Sequence, residues 1–437
     1  MKAGRKPESF VALIGIDWAD QKHDICLAEA GSDQLERSQL RHTPTALNDW
    51  AAALRERFPR GHIAVAVEQS RGGLVYNLMQ HDFIVLYLIN PATCAKFRGA
   101  WKPSRAKDDI TDAELLMEIV RLHRDRLRPW YPDDVQTRKL TLLCEHRRKA
   151  VNLRTGLTNQ LRSALKAYYP LACEVCGDKL NNPMALRFLT KWPTFEMLKK
   201  ARPNTLKQFY YRLNSRYPKT IQKRLDIIAN AQPLTEDAAI IESCSRQVRM
   251  LIEQLEVLQK HIAQYDREIE ALFNEHPDQF IFQSFPGSGT VFAPRLLAAF
   301  GTDRGKFNDA QGIQTLGGIA PVIESSGKKS WTHRRWGCAR FIRQSFHEWA
   351  AESIRHSIWA RAWYAKARER GMGHHAAVRA LAFKWIRIMF RCWKERKPYD
   401  ELVYLTALKR RGSELWKTIN EHPEAVKFYG SNSQVPA

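Results

Sequence analysis

The stretch Phe10 to Asp17, FVALIGID, decides the fold: an apolar run closes on an acid, the pattern of a buried strand with a carboxylate at its end. Asp24 to Ala30 reads as a second strand, stopped by the Gly31-Ser32 turn signal. His62 to Glu68, HIAVAVE, alternates small and apolar residues and delivers a second carboxylate. Phe83 to Asn90, FIVLYLIN, is a buried strand closed by Pro91. Lys107 to Val120, KDDITDAELLMEIV, predicts a helix on which Asp109 and Asp112, three apart, share a face, while Asp108 lies off it. An α/β N-terminal domain is expected.

Asp17, Glu68, Asp109 and Asp112 thus stand in a strand, strand, helix order, where an RNase H-like fold needs carboxylates to hold divalent metal. A cluster of acids without His or Cys suits hard Mg²⁺, with Mn²⁺ as a substitute, better than zinc. Two such ions can clamp the attacking and leaving oxygens of a phosphoryl displacement. Each acid also has a plainer reading, as a turn former or as an N-terminal helix charge favoured by the dipole. The four together favour metal.

The chain has 437 residues, 44% of them hydrophobic, enough for two or three domains with real cores. Its formal net charge of +23 and pI near 9.8 call for a polyanionic partner, and nucleic acid fits better than a membrane surface. Lys22 to Glu29 lacks the form of a signal peptide, and no apolar run approaches the roughly twenty residues of a membrane span, so a cytoplasmic protein is expected. Eight scattered cysteines fit free thiols, and the single C-x-x-C, Cys173 and Cys176, is read as a buried or loop thiol pair rather than a zinc site.

Thr137 to Tyr168 reads as a long basic helix, followed by short Pro-separated helices to about Pro233. Val248, Leu251, Leu255, Leu258, Ile262, Tyr265, Ile269 and Leu272 then alternate spacings of three and four, a coiled-coil seam. Its partner is either the Thr137 to Tyr168 helix or the same helix of a second subunit. Pro286-Gly287-Ser288-Gly289 is either the hairpin of a helix-hairpin-helix element or a tight turn before a helix. Leu316 to Gly327, LGGIAPVIESSG, puts Ser325 and Ser326 on a turn just before Lys328, Lys329, His333, Arg334 and Arg335. From Trp331 to Asp400, sixteen Lys or Arg face five Asp or Glu, so the exposed part is a candidate phosphate-binding face. Trp349, Trp359, Trp363, Trp385 and Trp393 are expected in the helical core. Lys102, Arg105 and Lys107 are further nucleic-acid contacts or a solvated charge run.

Taken in order, G-I-D at Gly15 to Asp17, V-E at Val67-Glu68, K-x-D-x-x-D-A at Lys107 to Ala113, P-G-x-G at Pro286 and A-P-V-x-x-S-S-G at Ala320 to Gly327 resemble the DEDD transposases of the insertion sequence 110 family, relatives of Piv-type invertases that include bridge-RNA-guided recombinases. The resemblance covers roughly residues 10 to 125 and 280 to 400, and the long Cys173 to Pro233 stretch and the tail after Tyr404 depart from the simplest members. It implies a RuvC-like catalytic domain over residues 1–130, a helical and coiled-coil dimerisation region over 131–278, a mostly α-helical transposase domain over 279–405 and a tail over 406–437. Under it, Asp17, Glu68, Asp109 and Asp112 hold Mg²⁺ and Ser326 is the nucleophile, with Ser325 its near neighbour. It further implies double-stranded donor and target DNA and a non-coding bridge RNA as partners. The protein would be a homo-oligomer, a dimer and then a tetramer on DNA, nucleoid-associated when bound. Because a coiled coil separates the acids from Ser326 along the chain, a site assembled from two subunits is expected. Two other classes compete: a Holliday-junction-type nuclease using water, in which Ser326→Ala keeps cleavage, and a DNA-binding architectural protein whose acids are structural.

Overall fold

The computed structural model describes residues 9–68, 71–101, 109–213, 217–327 and 329–421. Five strands, β1 (Ala12–Asp17), β2 (Lys22–Glu29), β3 (Leu35–Arg41), β4 (Ile63–Val67) and β5 (Ile84–Leu88), form one sheet in the order β3-β2-β1-β4-β5. β1 runs antiparallel to β2, and β2 to β3; β1, β4 and β5 are mutually parallel. Helices α1 (Pro44–Arg57), α2 (Gly73–Leu78), α3 (Pro91–Trp101) and α4 (Asp109–His123) intervene or follow. The remainder is mostly helical: the long α5 (Val135–Tyr168); α6 to α10 (Leu171–Cys176, Pro183–Lys191, Phe195–Lys199, Pro203–Arg212 and Pro218–Asn230); the long α11 (Ala238–Asn274); α12 (Gln279–Gln283), α13 (Gly289–Phe300) and α14 (Ala310–Leu316). A hairpin of β6 (Val322–Ser326) and β7 (Lys329–His333) precedes α15 (Arg340–His356), α16 (Ile358–Glu369), α17 (His374–Glu395), α18 (Glu401–Arg410) and α19 (Glu414–Glu421). The α/β N-terminal region and helix-rich remainder expected from sequence are therefore present.

Side-chain alternation gives the central strands two different faces. Ala12, Ile14 and Ile16 of β1 and Ile63, Val65 and Val67 of β4 pack on Leu47 and Leu54 of α1 and Leu74, Val75 and Leu78 of α2. The other face of β4 offers only Ala64 and Ala66, which meet Leu116, Ile119 and Val120 of α4. Small residues on that face let α4 lie close: a Cβ at Gly15 would come within 2.0 Å of the Ala113 carbonyl oxygen and 2.5 Å of the Met117 nitrogen. β3 went unread in the sequence because it is a sheet edge, with Leu40 its single buried residue.

The chain forms two compact units, each made of two stretches: unit 1 is Met1–Arg138 with Gly301–Ala339, and unit 2 is Lys139–Phe300 with Arg340–Ala437. The four-part division read from sequence runs along the chain, whereas these units interleave. Polar bonds tie the inserted stretch into unit 1. Asp133 accepts from the Thr302 amide (3.1 Å) and pairs with Lys306 (3.0 Å), and Thr302 Oγ1 donates to Asp134 (2.6 Å).

In unit 2, the first half of the α11 seam, Val248, Leu251 and Leu255, shares a core with Leu157, Leu161 and Leu165 of α5 and with α6 to α10. Farther along, Asp266 binds Arg147 and Tyr265 meets His146, so α5 and α11 run antiparallel. The seam's partner over this length is therefore α5 and the short helices of the same chain. Cys173 is partly and Cys176 fully buried, both as free thiols. The Pro286 to Gly289 turn is packed inward: Ser288 is buried, Trp349 Nε1 donates to the Pro286 carbonyl (3.2 Å), and a Cβ on Gly287, at φ +69°, would strike His356. Trp349, Trp359, Trp385 and Trp393 are fully buried, as expected, and Trp363 is partly so. Among the described residues, no helix is long and apolar enough to cross a membrane.

Candidate active site

Register puts the first two acids side by side. Gly15 pairs with Ala66 and Ile16 with Val67 across the parallel β1 and β4, so Asp17 and Glu68 come next on strands spaced about 4.8 Å apart. Two residues beyond Gly15 and Ala66, both continue the face that meets α4, and both are half-buried. The sequence reading of two strand-end carboxylates is met in β1 and just past β4.

α4 carries the other two in its sequence. Asp109 is its first residue and Asp112 lies one turn on. Asp112 is buried, and both its oxygens are held by Arg98 of α3: Nε donates to Oδ1 and Nη2 lies against Oδ2, each at 2.8 Å. The bond to Asp112, followed by the charges of Asp112 and Glu68, raises the Arg98 pKa, which sets the guanidinium among the acids. Cys94, one turn before Arg98, is pushed up to about 12 by burial, then by the Glu68 and Asp112 charges. Its thiol stays protonated, so the donors are carboxylate oxygens, a set that fits a hard divalent cation. Among the described residues, no three acidic, His or Cys side chains are gathered as a metal site. Sequence reasoning missed Arg98: its partner is fourteen residues away, and no local pattern links them.

The turn after Asp17 is fixed from β2. His23 is fully buried, and its Nδ1 accepts from the Ala19 amide (3.2 Å). Its Nε2 is therefore the protonated nitrogen and donates to His42 Nδ1 (2.9 Å).

Ser326 ends β6, exposed, in the same compact unit as the acids. Ser326 pairs with Lys329, and Gly327, just after Ser326, has the left-handed φ of +56° common in hairpin turns. Residues opposite one another share a face, so Ser326 lies with Lys329, Glu324 with Trp331, and Val322 with His333; Ser325 and Ser330 point the other way. The hairpin thus distinguishes two serines that the sequence left adjacent. Lys329 is exposed on this face. Arg334 lies over the Trp336 ring, 4.7 Å from its centroid, and Arg335 Nε donates to the Ala320 carbonyl (3.3 Å). Lys102, Arg105, Lys107 and Lys328 lie outside the described residues.

Comparison with known proteins agrees in extent and order. Residues 14–170 match the family model of the DEDD transposases of IS110, described as "Transposase", and residues 280–365 match that of the "Transposase IS116/IS110/IS902 family". The chain is 30% identical over 403 residues to the "Mini-circle putative transposase for IS117" of Streptomyces coelicolor, covering 90% of this chain and 96% of that protein. It is 26% identical to the "Insertion element IS116 uncharacterized 44.8 kDa protein" of Streptomyces clavuligerus, over 88% of this chain and 95% of the relative. A third relative, the "Insertion element IS900 uncharacterized 42 kDa protein" of Mycobacterium paratuberculosis, is 26% identical over 88% and 96%. Carboxylates on neighbouring strand ends and the first turn of α4, in a chain so matched along almost its full length, make this protein a member of the insertion sequence 110 family of transposases, enzymes that cleave and rejoin DNA strands.

Proposed function

We propose that this transposase moves an insertion sequence by recombining donor and target DNA through a phosphodiester between Ser326 and the cut strand, guided by a bridge RNA. The observation that carries this reading is the β1–β4 register, which sets Asp17 beside Glu68 on the face covered by α4, in the compact unit that also holds the Ser326 hairpin. The strand order β3-β2-β1-β4-β5, antiparallel on one side of β1 and parallel on the other, supports an RNase H-like, RuvC-like domain.

In this mechanism, Ser326 Oγ forms a bond to phosphorus as the bond from phosphorus to one deoxyribose oxygen breaks. The serine proton leaves to solvent and the departing oxygen takes one up. A hydroxyl of the other DNA then attacks the ester and frees the serine. One phosphate ester replaces another at each step, so rejoining needs no outside energy source. Asp17, Glu68, Asp109 and Asp112 would hold Mg²⁺, with Mn²⁺ as a substitute, and such a cation supplies charge neutralisation at the phosphate and a more acidic hydroxyl. Arg98, bonded to both oxygens of Asp112, holds that side chain in place. Lys329, Arg334 and Arg335, with Lys102, Arg105, Lys107 and Lys328, are the proposed phosphate contacts. Sequence choice is delegated to RNA pairing, as in other RNA-guided systems, and the working form is a dimer that becomes a tetramer on DNA.

The test traps the ester. Labelled donor and target DNA are incubated with the protein, Mg²⁺ and RNA transcribed from the element's flank, then run on a denaturing gel and peptide-mapped. An adduct on Ser326, lost in Ser326→Ala, in Asp17→Ala and without the RNA, is expected. Cleavage that proceeds with no adduct in the unsubstituted protein would replace this mechanism with a water-using nuclease.

A further inference from the structure

A cavity of about 610 Å³ opens in unit 1 between α3 and the root of the β6–β7 hairpin, a size typical of sites for small organic groups. Its wall includes Thr93 and Lys96 of α3, Glu324 and His333 of the hairpin, and Arg335 and Trp336 just beyond it. Two features set its chemistry. The first is charge: among the described lining residues, Lys96, Arg334 and Arg335 face one acid, and Glu324 is already engaged, accepting from Trp331 Nε1 (3.0 Å) and lying 3.4 Å from His333 Nε2. The second is Trp336, which is 74% exposed, uncommon for an indole. The Arg334 guanidinium covers one face of its ring, and the exposure leaves the other face open.

An open indole beside cations is a stacking platform for a nucleobase next to a seat for its phosphate. A base within a duplex is already stacked on both sides and cannot lie on such a ring, so the fitting ligand is an unstacked nucleotide. The position links the cavity to the chemistry. Val322, Glu324 and His333 line it from the hairpin face that carries Ser326. Thr93 and Lys96 line it from α3, whose opposite side carries Cys94 and Arg98 toward Asp112.

We propose that this cavity seats one unstacked nucleotide of a DNA strand opened at the exchange point, its base on the free face of Trp336 and its phosphate against Lys96 and Arg335. The proposal rests on the strand-exchange reading above, for which a locally unpaired strand is the substrate. Binding of the full-length protein to a fluorescent short oligothymidylate, to the matched oligouridylate and to a blunt duplex tests it. Trp336→Ala should weaken oligothymidylate binding by roughly five- to a hundred-fold, the span expected for loss of one stacked base, and leave duplex binding unchanged. Trp336→Phe should recover most of the loss, and Lys96→Ala should lower the salt dependence of single-strand binding. Equal weakening for duplex and single strand, no weakening at all, or tighter binding of oligouridylate than of oligothymidylate would each overturn the proposal. Ser326→Ala separates the two readings. It should abolish the covalent adduct yet bind oligothymidylate like the unsubstituted protein, so a missing adduct counts against the serine mechanism and unaltered binding by Trp336→Ala counts against the cavity.

Discussion

In unit 2, buried charge ties helices together: Arg295, almost fully buried, donates to Ser345 (3.1 Å) and Glu348 (2.8 Å), and Glu348 also binds Arg148 (3.0 Å). In unit 1, the buried Asp112 meets one guanidinium, and it does so on the side of the sheet where two further carboxylates end their strands. Unit 2 also packs a cluster of rings in its interior. Trp385 lies within 4.9 Å of Trp349 and 4.4 Å of Trp359, centroid to centroid, while the unit 1 sheet is packed with Ile, Val and Ala. The proposed chemistry thus lies in unit 1, while ring packing and ion pairs lock part of unit 2. Substitutions in unit 2 should therefore act on stability, and those at the sheet end of unit 1 on response to ions and DNA.

The largest expected effect tests the scaffold. Trp385→Ala removes a ring packed on Trp349, Trp359 and Tyr399 and deletes the bond from its Nε1 to Ser353 Oγ (2.9 Å). A cost of about 3–5 kcal/mol follows for truncating a buried aromatic, or a fall of about 10 °C in Tm for a domain of this size. Near-ultraviolet circular dichroism on heating would register it. A loss below about 1 kcal/mol would mean that the ring cluster is dispensable and that the contrast between the units is false.

Next comes the charge at the sheet end. Arg98→Leu leaves the Asp112 carboxylate buried without its ion-pair partner, which should cost about 3 kcal/mol in metal-free protein. If the site takes a divalent cation, the cation competes with Arg98 for Asp112, so millimolar Mg²⁺ should raise the Tm of Arg98→Leu more than that of the unsubstituted protein. Equal Mg²⁺ shifts in the two proteins would show that Arg98 and the cation do not share Asp112.

The parts of the candidate site that sequence could disclose are those written in one stretch of chain. Asp17 and Glu68 were legible because an apolar run that stops at an acid is a local pattern, and Asp112 because three-residue spacing on a helix is another. Arg98 was not, because nothing in P-A-T-C-A-K-F-R marks which of its side chains will meet an acid on α4. The interleaving of the units was hidden for the same reason: it rests on polar bonds such as Thr302 to Asp133, between residues 169 positions apart. β3 escaped because an edge strand buries too little to leave an apolar alternation. The separation of Ser326 from Ser325 needed the hairpin register, which a Gly327 at positive φ helps to set.

The smallest expected effect asks whether the two units answer to pH separately. Burial, then the neighbouring His42, lowers the pKa of His23 from 6.5 to about 4, against a weaker opposing pull from Asp24. Burial, then His375, does the same to His347 in unit 2, lowering it to about 4. Both imidazoles are neutral when folded, so the unfolded chain binds the extra proton: their contribution is fully present above pH 6.5 and is lost as pH falls from 6.5 toward 4. For His23 the loss has a structural route, since protonating Nδ1 ejects the Ala19 amide that shapes the turn after Asp17. His23→Gln should therefore flatten the acid-side decline of unit 1 by on the order of 1–2 kcal/mol, at some cost in stability at pH 7, while leaving the unit 2 decline in place. Hydrogen exchange across pH 4.5 to 7 resolves the two, because amides of β1 and β4 report on one unit and those of α15 and α17 on the other. Parallel flattening in both sets of amides would mean that the units unfold as one cooperative body, and the division of scaffold from chemistry would then be one of composition and not of stability.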